Sequence, residues 1–258
     1  TDEDMGPNAV TTVDLDDDRY QGQDLAAILA TQPGLRITRI GGQYSSAYAS
    51  IRGSTPEQVL VYLDGIPLNA ATGGAVNISS LPLGPLKSVT IFRSASATGA
   101  SAMGGVISLE TKSTGKPSTE AYTEAGSFQT FALRGLRTLG VGSVRTLIGL
   151  DAVSSQGDFS YLNDQGTLFA GSESDDEEVV RLNNHTRQGS TILKMGWQPS
   201  RQLNIKLLEL VTAQVSGVPG LGVIQTSETA YEKLRALTGL TARWRSLAGD
   251  WTLTSATH

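Results

Sequence analysis

The residues best suited to binding chemistry lie in two uncharged, glycine-rich loops. The first reads GGQYSS, from Gly41 to Ser46, and the second reads NAATGG, from Asn69 to Gly74. Glycine lets backbone amides approach a bulky ligand closely, and small polar groups beside one aromatic ring suit a large amphiphilic molecule. Plain flexible turns are the alternative. The candidate ligand contacts are Gln43, Tyr44, Ser45, Ser46, Asn69, Thr72, Gly73 and Gly74.

Metal binding and catalysis have weaker candidates. The acidic run Asp175, Asp176, Glu177 and Glu178 offers oxygen ligands for Ca²⁺, but it lacks the Asp-x-Asp-x-Asp-Gly spacing, and a solvated, disordered run is the favoured interpretation. The only histidines, His185 and His258, have no partner at catalytic or metal-ligand spacing. We therefore expect no enzyme, no confident metal site and no certain cofactor, with Ca²⁺ in external loops as the weak exception.

Composition limits the class of protein. The chain has 258 residues, 39 % of them hydrophobic, no cysteine and a net charge of −5. Disulfides and thiolate metal sites are thus excluded, and the scattered basic residues give no nucleic-acid footprint. No window is apolar enough for a transmembrane helix, although barrel strands never appear apolar on average. The polar, acidic N-terminus leads us to expect no signal peptide in this chain.

The N-terminal half reads as a small mixed α+β globule over residues 1–115. Short strands are predicted at AVTTVDL, LRITRI, AYASIRG, LKSVTIF and GGVISLETK, and GQDLAAILATQPG predicts a short helix. The stretch VLVYLDGIPLN, Val59 to Asn69, predicts a hairpin because Asp64 and Gly65 tolerate the positive φ angles of a tight turn.

The C-terminal half, residues 116–258, reads as long alternating strands. We place them near 119–126, 129–138, 143–153, 186–197, 202–215, 232–246 and 250–258. Short turns (LGVG, QPSR, LAGD) are predicted at one end. Two long structureless connections, Ser154 to His185 and Ser216 to Tyr231, are predicted at the other. This asymmetry favours an outer-membrane meander barrel over a soluble sandwich.

Several linked segments resemble a known family. LAAILATQPGL, SIRG, VLVYLDGIPLN, ISSLPL and GASAMGGVISLETK occur in the order and spacing of the plug domain of TonB-dependent outer-membrane transporters. The combination is most similar to the vitamin B12 (cobalamin) transporting members. The resemblance implies a mixed fold: an α+β plug, followed by antiparallel transmembrane β-barrel strands. Such barrels have roughly 22 strands, and this chain has room for about seven, so we expect an incomplete barrel and a fragment of something longer.

The resemblance also implies function. The protein is expected in the outer membrane of a Gram-negative-type bacterium, in contact with its lipid. There it takes up a large scarce nutrient, cobalamin or a ferric siderophore, energised by a TonB-type inner-membrane partner. The two loops match the ligand-contacting plug loops. Arg52 and Arg93 are implied to hold the plug by pairing with barrel carboxylates, a solvated strand end being the alternative.

Two departures from the family pattern stand out. The usual Arg-Gly-Pro turn followed by Tyr-Gly reads FRSASATGAS here, with Ser94 and Ala95 in place of Gly-Pro and Thr98 in place of the aromatic residue. No TonB box is recognisable in the eight residues before Ala9, as expected if this sequence begins after the box. An alternative function is therefore a non-transporting structural or adaptor subunit of a larger envelope complex. A periplasmic hydrolase is a distant third, because it lacks a catalytic constellation.

Overall fold

The structure is a computed structural model that describes residues 10–16, 20, 22–70, 73–93, 103–166, 176–246 and 249–258. Among these residues, no helix is both long enough and apolar enough to cross a membrane. Two sheets dominate, one in each half of the chain, and the N-terminal region packs on the inner face of the C-terminal sheet.

The N-terminal region contains the predicted strands and helix. Its elements are β1 (Val10–Asp14), α1 (Leu25–Ala30), β2 (Leu35–Arg39), β3 (Ala47–Ile51), β4 (Val59–Leu63), β5 (Ile66–Pro67), β6 (Leu86–Phe92) and β7 (Gly105–Thr111). One five-stranded sheet has the order β1-β6-β7-β4-β5, while β2 and β3 form a separate hairpin. Since β4 and β7 are parallel and the other pairs are antiparallel, the sheet is mixed, as expected for an α+β globule.

The helix begins at a polar cap and ends before a proline. The Asp24 side chain accepts a hydrogen bond from the Ala27 amide at 2.7 Å, which satisfies one of the free amides of the first turn. The Arg39 guanidinium donates to both Asp24 carboxylate oxygens, at 2.7 and 2.9 Å. Leu25, Ile28 and Leu29 are buried, so the predicted apolar stripe packs into the core.

The hairpin predicted at Val59 to Asn69 is present. Leu63 pairs with Ile66 across a two-residue turn, and Asp64 and Gly65 have φ angles of 49° and 84°. These are the left-handed conformations that Asp-Gly adopts at little cost, which explains why the pair stands there.

The C-terminal sheet is an antiparallel meander. Its chain-order elements are β8 (Ser118–Gly126), β9 (Thr130–Val141), β10 (Val144–Ser155), β11 (Ser160–Asn163), β12 (Glu177–Val180), β13 (Thr186–Trp197), β14 (Leu203–Gly217), β15 (Ala230–Ser246) and β16 (Gly249–Thr257). The large sheet has the order β16-β15-β14-β13-β10-β9-β8. Within the described residues it ends at β8 and β16 without closing, which confirms the expectation of an incomplete, seven-stranded barrel wall.

The connection between the two regions lies between Thr111, where β7 ends, and Ser118, where β8 begins. The predicted domain boundary at residues 115 and 116 falls in this segment. The division into two domains at that point stays a prediction.

Side chains of the large sheet alternate as the sequence predicts. On β10, Ile148 and Leu150 are exposed on the outer face, whereas Leu147 and Asp151 are buried on the inner face. On β15, Leu240 and Trp244 point outward, whereas Gly239 meets the N-terminal region. Because one register decides every side chain of a strand, these contacts fix the inner and outer faces of the whole sheet.

The long connection Ser154 to His185 contains structure that the sequence analysis missed. Strands β11 and β12 pair as a hairpin within it, so the prediction of a structureless loop was wrong for this part. The Leu182 amide donates to the Gln225 side chain at 2.7 Å, which ties the hairpin to the next long connection. Such tertiary contacts leave no periodic trace in a four-residue strand that reads EEVV.

The apolar core joins the two regions. Buried residues of the five-stranded sheet and α1 form one cluster with inward-facing residues of the large sheet, namely Leu136, Leu147, Ile192, Leu208, Leu210 and Leu237. The two regions lie close together at Gly149, where an added Cβ atom would lie 2.2 Å from Pro85 Cγ. The glycine at that point is required by contact between the regions.

Candidate functional site

The loop Gly41 to Ser46 lies against the inner face of the large sheet, and its second half, Tyr44 to Ser46, is buried. Tyr44 is only 3 % exposed and packs against Ala132 and Val153. Burial raises the pKa of its phenol above the ordinary value, although the Arg134 charge opposes the shift. Gln43 is exposed. In this structure the Tyr44 ring therefore contacts the sheet and offers no surface for a ligand to stack on.

Ser45 and Ser46 are also buried, each 3 % exposed. The Ser45 hydroxyl donates to the Gly42 carbonyl at 2.5 Å, and the Ser46 hydroxyl lies 2.8 Å from the Tyr231 hydroxyl of β15. Both side chains thus hold the loop in place, and the second ties it to the large sheet.

A buried amide network, which the sequence analysis missed, continues from Ser46. Asn77 Nδ2 donates to Gln214 Oε1 of β14 at 2.8 Å, and Asn77 Oδ1 accepts from the Ala47 amide at 2.9 Å. Gln188 Nε2 of β13 donates to the Ser79 carbonyl at 2.8 Å. The sequence did contain one indication of this network. In strands whose residues alternate between two faces, Gln188 and Gln214 stand at inward positions, where a buried amide needs a hydrogen-bond partner.

The second loop, Asn69 to Gly74, divides into a fixed start and an open end. The Asn69 side chain accepts from the Val61 amide at 2.8 Å and donates to the Val59 and Gly74 carbonyls at 3.1 and 3.2 Å. Gly73 and Gly74 are exposed, have positive φ angles and would accept a Cβ without contact. Thr72 lies outside the described residues.

Of the predicted ligand contacts, the structure therefore exposes Gln43, Gly73 and Gly74. Asn69 is half-buried and bonded to backbone, and the remaining described candidates are buried. The binding role of all these residues stays a prediction, and the exposed ones are where a ligand has access.

The two arginines proposed as anchors differ in environment. Arg93 is 8 % exposed and donates from Nε and Nη2 to the Pro33 carbonyl, at 3.0 and 2.7 Å, and from Nη1 to the Thr11 hydroxyl at 2.8 Å. It thereby joins the end of β6 to β1 and to the turn after α1. Arg52 is exposed with a φ angle of 51°. Their pairing with barrel carboxylates stays a prediction, and Ser94, Ala95 and Thr98 lie outside the described residues.

The turn of the β4–β5 hairpin makes a charged contact between the two regions. The Asp64 carboxylate lies 2.7 Å from Lys194 Nζ of β13 and accepts from the Thr111 amide and hydroxyl at 3.0 and 2.7 Å. Lys194 Nζ also donates to the Thr111 hydroxyl at 2.7 Å. The sequence assigned Asp64 only a role in the turn, yet its side chain links β7 and β13.

A buried ion cluster makes a second contact. Arg134 of β9 lies 2.8 Å from Glu124 of β8 and 3.2 Å from Asp151 of β10, and it donates to the Gln23 carbonyl of the N-terminal region at 2.9 Å. The Gly22 amide donates to Glu124 at 3.2 Å. Three neighbouring strands thus hold the segment before α1. The sequence indication of this ion cluster was an arginine, Arg134, at an inward position of the strand FALRGLR.

Lys112 forms two further ion pairs, at the edge of the N-terminal region. Lys112 Nζ lies 2.7 Å from Asp16 and 2.9 Å from Glu120. Burial opposes the charge on Lys112, but the hydrogen bonds to these carboxylates outweigh it and raise the pKa of the lysine. The start of the large sheet is therefore tied to the segment after β1.

The described carboxylates of the acidic run in the predicted external loop do not point toward one common position. Glu177 and Glu178 are exposed on β12, and successive strand residues point to opposite sides. Asp175 lies outside the described residues, and within them no group of three or more His, Asp or Glu side chains is placed to hold a metal. The prediction of disorder was wrong for Glu177 and Glu178, because both lie in β12. Calcium binding stays a prediction.

Comparisons with known proteins match this arrangement. Residues 2–106 match the family model of the TonB-dependent Receptor Plug Domain. The N-terminal region is therefore similar to these plug domains, and we call it, up to Thr111, the plug domain. The vitamin B12 transporter BtuB of Vibrio cholerae is 36 % identical over 99 residues, covering 38 % of this chain and 16 % of the relative.

Solved structures match nearly the whole chain. A variant of the ferric enterobactin receptor PfeA of Pseudomonas aeruginosa superposes with a TM-score of 0.70 at 16 % identity, over 96 % of this chain and 40 % of that one. The unliganded ferric citrate transporter FecA gives 0.69 at 15 % identity, over 96 % and 39 %. The likeness shows the fold: a plug domain on the inner face of part of a barrel wall. The chain spans well under half the length of each of these proteins.

Proposed function

We propose that this chain is the plug domain and first barrel strands of an outer-membrane transporter that imports a large scarce nutrient. The observation that carries the proposal is the seating of the plug domain. It packs, within one chain, on the inner face of an antiparallel sheet whose outer face exposes many large apolar side chains. That arrangement suits a barrel wall that faces lipid on its outer side and a lumen filled by the plug domain on its inner side.

The outer face supports a place in the membrane. Exposed apolar side chains there include Phe131, Leu133, Ile148, Leu150, Met195, Leu240 and Leu253. All three tryptophans, Trp197, Trp244 and Trp251, are exposed on this face near the short turns. Aromatic belts mark the interfaces of membrane barrels, so we place the short turns at the periplasmic side of an outer membrane of a Gram-negative-type bacterium.

The cargo we propose is cobalamin-like or a ferric siderophore, and the energy source is a TonB-type inner-membrane complex. Relatives whose names state vitamin B12 transport and ferric enterobactin reception support this class over the structural or adaptor alternative. The exposed backbone of Gly73 and Gly74 and the side chain of Gln43 supply the plug surface that a ligand can reach. Transport by this family is not an enzyme reaction, and no catalytic step is proposed.

Uptake by cells expressing the native gene tests the proposal. In a host that lacks its own cobalamin and siderophore transporters, we expect accumulation of labelled cyanocobalamin or of an iron-labelled siderophore that depends on the TonB-type complex. The matched control is the same host with that complex deleted. Correct insertion in the outer membrane without uptake of either ligand class would contradict transport and favour the adaptor alternative.

A further inference from the structure

Two adjoining clefts lie at the short-turn end of the molecule, between the plug domain and the large sheet. The first, of about 450 Å³, lies beside the ends of β6 and β7, and the second, of about 410 Å³, lies beside the turn Asp64–Gly65. They share Gln198, Asn204 and Lys206. We call the pair the short-turn cleft.

The charge of the short-turn cleft is opposite to that of the chain. The whole chain carries −5, yet the cleft is lined by the cationic residues Lys87, Lys112, Arg145, Lys194, Lys206, Arg201, Arg243 and Arg245. The carboxylates in its lining are Asp64 and Glu110. A concave surface lined by one sign of charge focuses its field and concentrates ions of the other sign.

Part of this positive charge is neutralised within the protein and part is not. Lys194 pairs with Asp64, Lys112 with Asp16 and Glu120, and Arg245 lies 3.8 Å from Asp250. Among the described residues, no carboxylate lies within ion-pair distance of the exposed side chains Lys87, Arg201, Lys206 and Arg243. These four cations are available to a ligand.

The remaining lining residues also favour an anion. On β15 and β16, inward positions carry the hydroxyls of Thr241, Thr252 and Thr254, and the Arg243 Nε donates to the Thr252 hydroxyl at 3.4 Å. Gln198, Gln202 and Asn204 add amide donors. Guanidinium forks beside amides and hydroxyls match the oxygens of carboxylate, catecholate or phosphoryl groups.

We propose that the short-turn cleft is an anion site on the exit side of the transporter, and that the cargo is therefore an anionic ferric chelate rather than a neutral corrinoid. This inference rests on the proposed function, because it takes the cleft to receive cargo that has passed the plug. The cleft volume admits a compact chelate whose carboxylate or catecholate oxygens surround the iron.

A fluorescent label inside the cleft tests the inference at the site itself. These 258 residues contain no cysteine, so Thr254→Cys introduces a single attachment point among them once any cysteine elsewhere in the protein is replaced, and Thr191→Cys on the exposed outer face of β13 is the matched control label. We expect ferric citrate to quench the label at 254 saturably at low ionic strength and the label at 191 only by collision. Inorganic pyrophosphate should compete, and cyanocobalamin should bind there far more weakly.

Charge removal sharpens the test. The double variant R201Q/R243Q, made in the labelled native protein, should weaken ferric citrate binding by roughly tenfold to thirtyfold at low salt, and added salt should narrow this difference. Arg137→Gln, on the outer face of β9, is the control and should leave the affinity unchanged. Both altered arginines are exposed, so the fold is expected to survive.

The outcomes separate the two proposals. Affinity for ferric citrate that is unchanged in R201Q/R243Q, or cyanocobalamin binding of equal strength, overturns the anion site. Cellular uptake without quenching at position 254 also overturns the anion site but leaves the proposed function standing. Quenching without uptake in cells refutes the proposed function.

Discussion

The plug domain and the large sheet differ in where they place their large apolar side chains. The largest fully buried side chains are nearly all in the plug domain, among them Leu25, Ile28, Ile91 and Ile107. The inner face of the large sheet buries six apolar residues of the shared core, and around them it buries polar residues, namely Arg134, Thr138, Asp151, Ser155, Thr186, Gln188, Ser190, Thr212, Gln214 and Ser216. The plug domain is organised like a protein in water, whereas the sheet places apolar side chains outside.

The inner face of the sheet therefore carries residues that pack against the plug domain, and it is not simply a water-facing polar surface. Leu147 and Leu237 lie on that face and are fully buried against the plug core. Ionic and amide contacts flank this apolar layer, with Asp64–Lys194 on one side and Asn77–Gln214 on the other. Apolar contact gives binding strength, and the directed polar contacts fix the register between the regions.

The largest effect is expected from breaking the buried ion cluster. Arg134→Leu removes the guanidinium from Asp151 and Glu124, and it should lower the free energy of unfolding by about 3–5 kcal/mol because a buried charge loses its partner. Equilibrium unfolding of the detergent-solubilised protein measures the loss.

Two controls test the reason for that loss. Arg134→Leu/Asp151→Leu should recover most of it, since an apolar pair replaces the buried charge, and Arg137→Leu on the outer face should cost little. A double variant as unstable as the single one would show that the guanidinium acts through packing or through its bond to Gln23.

The second effect tests whether the outer face contacts lipid. Leu240→Arg places a charge at an exposed outer position of β15 and should cost about 2–4 kcal/mol on folding into lipid vesicles if this position lies near the membrane midplane. Leu240→Ala is the matched control, because it removes the same side chain without adding charge. Equal costs for the two variants in a urea titration would mean that water, not lipid, covers this face.

The third effect concerns the contact of Gly149 with Pro85. A Cβ at Gly149 would lie 2.2 Å from Pro85 Cγ, so Gly149→Ala should destabilise the assembly by about 1–3 kcal/mol. Gly135→Ala on the neighbouring strand meets nothing within 4 Å and serves as the control. Limited proteolysis should release the plug domain faster in the first variant only; equal rates would contradict a tight contact at Pro85.

Local patterns in the sequence were sufficient to predict much of the fold. The alternation around Ile148 and Leu240 located the long strands, and Asp64–Gly65 located the hairpin, because both patterns reflect short-range geometry. Strands β11 and β12 were missed because their pairing depends on a neighbouring loop.

The candidate site was less predictable than the fold. Composition marked Tyr44 as a ligand contact, but the structure buries it against β9 and β10, which no local pattern reveals. Gln188 and Gln214 were missed for the same reason, since their partners lie more than 100 residues away along the chain. Contacts between regions depend on the three-dimensional arrangement, and a single sequence does not specify it directly.

The smallest effect is expected at the Asp64–Lys194 contact. Its side chains are 19 % and 21 % exposed, so solvent screens the pair in part, and we expect a coupling of about 1 kcal/mol. A double-mutant cycle with Asp64→Asn and Lys194→Met measures the coupling by equilibrium unfolding. Asparagine keeps the positive φ angle and one acceptor for the Thr111 amide, so the change isolates the charge. Additive effects in the cycle would contradict an energetic link, and would leave the apolar layer as the main attachment of the hairpin to β13.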